Sequence, residues 1–86
     1  MIHYVYILFS DIDGEMYTGY TTNLKERLIS HNSGENKSTQ KRGPFKLIYF
    51  EGCLDKKDAI YRERYLKTAW GKRYIKNRVK NYLKPR

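Results

Sequence analysis

The sequence predicts an α+β domain: a three-stranded antiparallel sheet flanked by helices, in the order ββαβαα. Three observations carry that prediction. Two short segments rich in β-branched and aromatic residues, 2–9 and 16–21, are joined by an Asp-Gly turn. A third such segment follows at 45–50. Between and after them lie stretches in which apolar residues recur every three or four positions behind recognisable helix starts. At 86 residues, one domain over 1–86 accounts for the chain.

The elements follow in order. Residues 2–9 hold the longest apolar run, 4–9, which suits a strand. Asp11, Ile12, Asp13 and Gly14 form the turn, and 16–21 returns antiparallel to the first strand. Asn23 opens the first helix, and Glu26 three residues later completes a capping box. Leu24, Leu28 and Ile29 form its apolar side, and Gly34 can end it. Residues 33–44 read as a polar, basic loop, and 45–50 as the third strand. Asp55 caps a second helix expected to run to about Trp70, where Gly71 breaks it. A third helix is expected from Lys72 to about Leu83, with Ile75, Val79, Tyr82 and Leu83 on one side.

Charge and composition narrow the function. Eighteen Lys and Arg stand against nine Asp and Glu, a net charge of +9. A polyanionic partner is the simplest reason for that excess, and nucleic acid leads. A membrane surface fits less well, because the basic segments alternate with aromatics of the kind a core buries, and no apolar run approaches the roughly 20 residues that span a bilayer. The amino terminus lacks a signal-peptide pattern, so a cytoplasmic location is expected. Cys53 is the single cysteine, and only His3 and His31 could join it, which excludes a Cys/His zinc site.

Three features resist a purely structural reading. At about 100° per residue, Glu63 falls within the apolar stripe of Ala59, Ile60, Leu66 and Trp70 on the second helix. A carboxylate there needs a cation. It is either half of a salt bridge to a nearby arginine or a divalent-metal ligand. Arg27 and His31 are four residues apart on the first helix, a pair suited to a phosphate or to an ordinary solvated helix edge. Finally there are nine tyrosines against three phenylalanines. Tyr4 and Tyr6 share one face of the first strand, and the short turn brings Tyr17 beside it. Such phenols can pack, stack on bases or pass protons.

Together these residues resemble the GIY-YIG nuclease superfamily, especially its small stand-alone single-domain bacterial members. The first half-motif reads Tyr4-Val5-Tyr6 where the family has Gly-Ile-Tyr, and the second reads Tyr17-Thr18-Gly19 where it has Tyr-Ile-Gly. Ten residues separate Tyr6 from Tyr17, as in the family. Residues 23–32 resemble its arginine helix, with a histidine one turn later, and 59–67 resemble the helix that carries its metal-binding glutamate. The resemblance covers residues 1–77. Its late asparagine has two candidates, Asn77 and Asn81, and neither is assigned.

The resemblance implies metal-dependent hydrolysis of DNA phosphodiester bonds, directed by structure or lesion and serving repair or recombination, with RNA left open as a second substrate. It implies that Glu63 holds Mg²⁺ or Mn²⁺, that Arg27 binds the scissile phosphate, and that Tyr6 and Tyr17 position the attacking water, one of them as general base. His31 would relay a proton or touch a phosphate. Gly19 would let the backbone pass close to substrate or to the first helix. Lys37, Lys41 and Arg42 in the loop, with Lys72, Arg73, Lys76, Arg78 and Lys80 in the third helix, would contact flanking phosphates without reading sequence. Two competing readings are a non-catalytic nucleic-acid binding module that retains the fold and an accessory domain docked on a larger assembly.

Overall fold

The apolar amino-terminal run becomes β1 (His3–Ser10), the middle strand of an antiparallel sheet of order β2-β1-β3, with β2 at Met16–Thr21 and β3 at Phe45–Cys53. The structure is a computed structural model and describes residues 1–36 and 43–84. Val5, Tyr6, Ile7 and Leu8 are buried in succession, without the alternation of a half-solvated strand, because both faces of β1 are covered. On one face Val5 and Ile7 pack with Ala59, Leu66 and Ile75. On the other, Tyr6 and Leu8 pack with Phe45 and with Tyr17, Leu24, Leu28 and Leu47.

The β1–β2 hairpin is closed by Ser10 and Gly14. The Gly14 N–H donates to the Ser10 carbonyl, and Gly14 takes a φ of 70° that a side chain would oppose. The resulting register sets Tyr6 opposite Gly19 and Leu8 opposite Tyr17. Helix α1 (Leu24–Asn32) starts at Asn23, whose side chain accepts from the Glu26 N–H at 3.1 Å, and gives way after Ser33 to Gly34 at φ 81°. Leu24 and Leu28 face the sheet as expected, whereas Ile29 points to solvent. The Asn32 side chain clamps the start of β3, accepting from the Phe45 N–H at 2.7 Å and donating to its carbonyl at 3.2 Å.

Beyond the sheet, the helix boundaries differ from expectation. Helix α2 runs Lys56–Leu66, capped by Asp55, and stops short of Trp70. The stop is made by Thr68, whose hydroxyl donates to the Tyr65 carbonyl and accepts from the Gly71 N–H, capping α3 (Ala69–Arg78). Gly71 therefore lies inside α3 rather than breaking a helix. Its role is close packing: a Cβ there would collide with the Tyr65 carbonyl and the Leu66 backbone. The early stop also removes Trp70 from the apolar stripe and leaves it 68% exposed. Val79 interrupts the last helix, and Lys80–Leu83 forms a single further turn, α4, with Tyr82 largely in solvent. β3 extends three residues past the expected end, because its pairing with β1 continues to His3 opposite Cys53.

Candidate active site

Tyr6 is the centre of the α1-side cluster. The bare Gly19 backbone makes room for it, since a Cβ at position 19 would run into the Tyr6 ring and hydroxyl. The glycine thus makes room for the tyrosine opposite it. The Tyr6 hydroxyl lies 2.9 Å from Nε2 of His31. Both residues are almost fully buried, at 2% and 1% exposure. The Tyr17 ring meets His31 edge-on at 4.9 Å between centroids, and Phe45 flanks the imidazole at 6.0 Å. Strand register sets the two tyrosines, and the last turn of α1 delivers the histidine between them.

Arg27, one turn before His31, acts on the same atoms. Its positive charge lies close enough to the Tyr6 hydroxyl to favour its ionised form. Burial pushes the Tyr6 phenol up to about 12, with the Tyr17 phenol and the Glu63 carboxylate adding to the rise and Arg27 opposing it. The His31 imidazole is held below its ordinary value, first by burial and then by the Arg27 charge. At neutral pH the pair is therefore an un-ionised phenol and a neutral imidazole, and the imidazole tautomer protonated on Nδ1 leaves Nε2 to accept the phenol hydrogen. Arg27 is partly exposed and borders a groove of about 440 Å³ along α1.

Glu63 approaches this cluster from α2, near enough for its charge to act on Tyr6. Its side chain is 18% exposed and is paired with Lys67 one turn later, Oε2 to Nζ 3.0 Å. The partner is thus a lysine, not the arginine the sequence suggested. Arg62, the neighbouring candidate, is engaged instead by Glu51 on β3 at 3.0 Å. Sequence reasoning passed over Lys67, although its i,i+4 spacing to Glu63 was the available signal.

A divalent cation fits these residues in one way. Among the described residues no group of three or more His, Cys, Asp or Glu could hold a metal. Glu63 is a single carboxylate already balanced by one cation. That donor set suits a hard ion which keeps its waters and takes further oxygens from a phosphate, as Mg²⁺ does.

The structure thus brings Tyr6, Tyr17 and His31 into contact, with Arg27 and Glu63 near enough for their charges to act on Tyr6. Lys72, Arg73, Lys76, Arg78 and Lys80 are exposed along α3 and α4, with Lys76 beside the β1–β2 turn and Arg73 stacked on Trp70 at 5.0 Å. Asn77 and Asn81 are exposed on the same two helices. Lys37, Lys41 and Arg42 lie outside the described residues. No helix among the described residues is long and apolar enough to cross a membrane.

A family model described as the GIY-YIG catalytic domain matches residues 2–76. The chain is 48% identical over 67 residues to a UPF0213 protein of Clostridium perfringens, covering 77% of this chain and 71% of that one. It is 45% identical over 67 residues to a UPF0213 protein of Staphylococcus haemolyticus, covering 77% and 80%. Among solved structures it is similar to the solution NMR structure of a UPF0213 protein from Bacillus halodurans. That match has 40% identity and a TM-score of 0.55, and covers 87% of this chain and 82% of that chain.

Proposed function

The chain belongs to the GIY-YIG catalytic-domain family, a nuclease family, and on that premise we propose that it is a divalent-metal-dependent endonuclease hydrolysing phosphodiester bonds in DNA. The observation that carries the reading is the buried Tyr6–His31 hydrogen bond, with Arg27 and Glu63 both acting on the same phenol.

Each residue then has a task. Arg27 binds the scissile phosphate with its planar fork of donors and meets the charge that builds on the phosphoryl oxygens. Tyr17 orients the attacking water. As the water oxygen bonds to phosphorus and the bond to the 3′-oxygen breaks, the water's proton passes to the Tyr6 oxygen and the Tyr6 proton passes to Nε2 of His31. Arg27 favours phenolate character on Tyr6, and its charge leaves His31 neutral and able to accept before the reaction while limiting how far the imidazole holds the proton. Glu63 would hold Mg²⁺ or Mn²⁺, which when bound supplies positive charge to the departing 3′-oxygen. Little surface is available for base-specific contacts on a chain this small, so selection by DNA structure or lesion, in repair or recombination, is the proposed setting.

The test is nicking of supercoiled plasmid and of branched DNA with Mg²⁺ or Mn²⁺, repeated with a chelator. Metal-dependent cleavage is expected. Salt-sensitive DNA binding with no cleavage of any substrate would make the protein a binding module instead.

A further inference from the structure

The face of α2 turned away from the sheet carries chemistry that neither the core nor the phenol cluster uses. Lys57, Tyr61, Arg64 and Tyr65 lie on the side opposite the buried Ala59 and Leu66. Tyr61 is 77% exposed and contributes almost nothing to folding. Two shallow depressions meet on this face and share Tyr61 and Arg64. One is completed by Lys56, Lys57 and Ile60, the other by Tyr65 and Thr68, and neither contains an acidic residue.

Two further contacts locate this face and give it a rigid edge. Lys56, at its start, lies 6.0 Å from the Tyr20 ring on β2, the strand that carries Tyr17 and Gly19. The face runs along the same helix that carries the Glu63 carboxylate, with Ile60 one turn from it. Tyr65 is held in place: the Arg62 guanidinium lies 5.3 Å from its ring and is itself tied to Glu51. A ring fixed in this way loses little freedom when something stacks on it.

We propose that this face of α2 is a stacking platform for single-stranded DNA; its placement beside a cut site rests on the nuclease reading, whereas the platform itself does not. Exposed aromatic rings offer π-faces to unpaired bases, and the interleaved Lys57 and Arg64 neutralise the phosphates between them. A duplex hides its base faces, so it would use the cations and leave the rings idle. An acidic protein would likewise engage the cations alone. The substrate this describes has an unpaired strand running out along α2 from the scissile phosphate, as a flap, bubble or branch provides.

The test measures fluorescence anisotropy of the full chain, with chelator present so that nothing is cut, on a labelled oligo-dT strand and on a duplex of the same length. Tyr61→Ala should weaken oligo-dT binding roughly tenfold, the scale for losing one base–aromatic stack. It should change duplex binding by less than about twofold, with no change in melting temperature because the side chain lies in solvent. Tyr61→Leu, which keeps bulk and helix propensity but has no ring, should match Tyr61→Ala, and Tyr61→Trp should restore binding. Arg64→Ala should weaken both ligands and reduce the salt slope by about 1. The platform is overturned if the parent does not bind oligo-dT, if Tyr61→Ala and Tyr61→Leu bind it normally, if single strand and duplex lose equally, or if Tyr61-dependent binding favours oligo-U over oligo-dT. Tyr61-dependent binding by a protein that cuts no DNA would keep the platform and sink the nuclease reading. Metal-dependent nicking with Tyr61-independent binding would do the reverse.

Discussion

The Tyr6 hydroxyl and Nε2 of His31 lie 2.9 Å apart although the residues are 25 positions apart in the chain. The contact ties the central strand to the last turn of α1 and holds two groups that can exchange a proton in a largely buried position. Its un-ionised resting state follows from burial, and the Arg27 charge favours loss of the phenol proton while making the imidazole a weaker base.

That pair makes stability depend on pH. His31 has a folded pKa below its ordinary 6.5, so below that pH the unfolded chain binds a proton that the folded chain resists. The stability is present above about 6.5 and is lost as pH falls toward the depressed value. Melting temperature should drop as the pH is lowered through this range, and His31→Gln should flatten the drop. Cleavage should fall on the same acidic side. Parallel pH curves for parent and variant would show that His31 is not the titrating group.

Gly19→Ala should destabilise the fold by about 1–3 kcal/mol, the cost of overpacking, because the new methyl meets the Tyr6 ring. Denaturant unfolding would measure it. Cleavage should fall further than stability does, since the displaced ring carries the reacting hydroxyl.

Glu63→Gln should leave the metal-free protein within about 1 kcal/mol of the parent, because Lys67 is 56% exposed and such pairs contribute little. Cleavage should be abolished. Lys67→Ala removes the cation that competes for the carboxylate, so it should lower the Mn²⁺ concentration needed for half-maximal cleavage. A large loss of stability with cleavage retained in Glu63→Gln would return this pair to a structural role.

Arg27→Lys keeps the charge but loses the bidentate fork. A rate loss of at least about 10²-fold is expected, the scale for one preorganised donor, with DNA affinity changed far less. Single-turnover cleavage beside a binding titration separates the two. Near-normal cleavage would place Arg27 outside the reaction.

Lys76 and Lys80 are exposed on α3 and α4. Replacing both with Ala should flatten the dependence of log affinity on log salt by roughly 0.9 for each duplex phosphate they no longer neutralise, without altering sequence preference. An unchanged slope would place the DNA on another face.

Much of this architecture is written locally. The β-branched run and the Asp-Gly turn specify the first hairpin, and Asn23 and Asp55 cap the two helices they precede. The resemblance to the GIY-YIG motifs already marks Tyr6, Tyr17, Arg27, His31 and Glu63 as a group. What failed were choices between equal local signals. Thr68 and Gly71 can each end a helix, and the outcome was decided by α3 packing backbone to backbone against α2 at Gly71. Arg62, Arg64 and Lys67 are all near Glu63 in sequence. The docking angle of α2 turned Arg62 toward Glu51 and left Lys67 for Glu63.

By itself, then, the sequence determined which segments are strands and helices, where most of them begin, and which residue types can do chemistry, because propensity, capping and period are properties of a few neighbouring residues. The tertiary structure alone decided that Gly19 exists for the Tyr6 ring, that His31 meets that phenol, that Glu63 rests on Lys67 and that Tyr61 faces open solvent. Those outcomes depend on strand register and helix docking, which are set by the joint packing of the whole core and are contained in no single stretch of the chain.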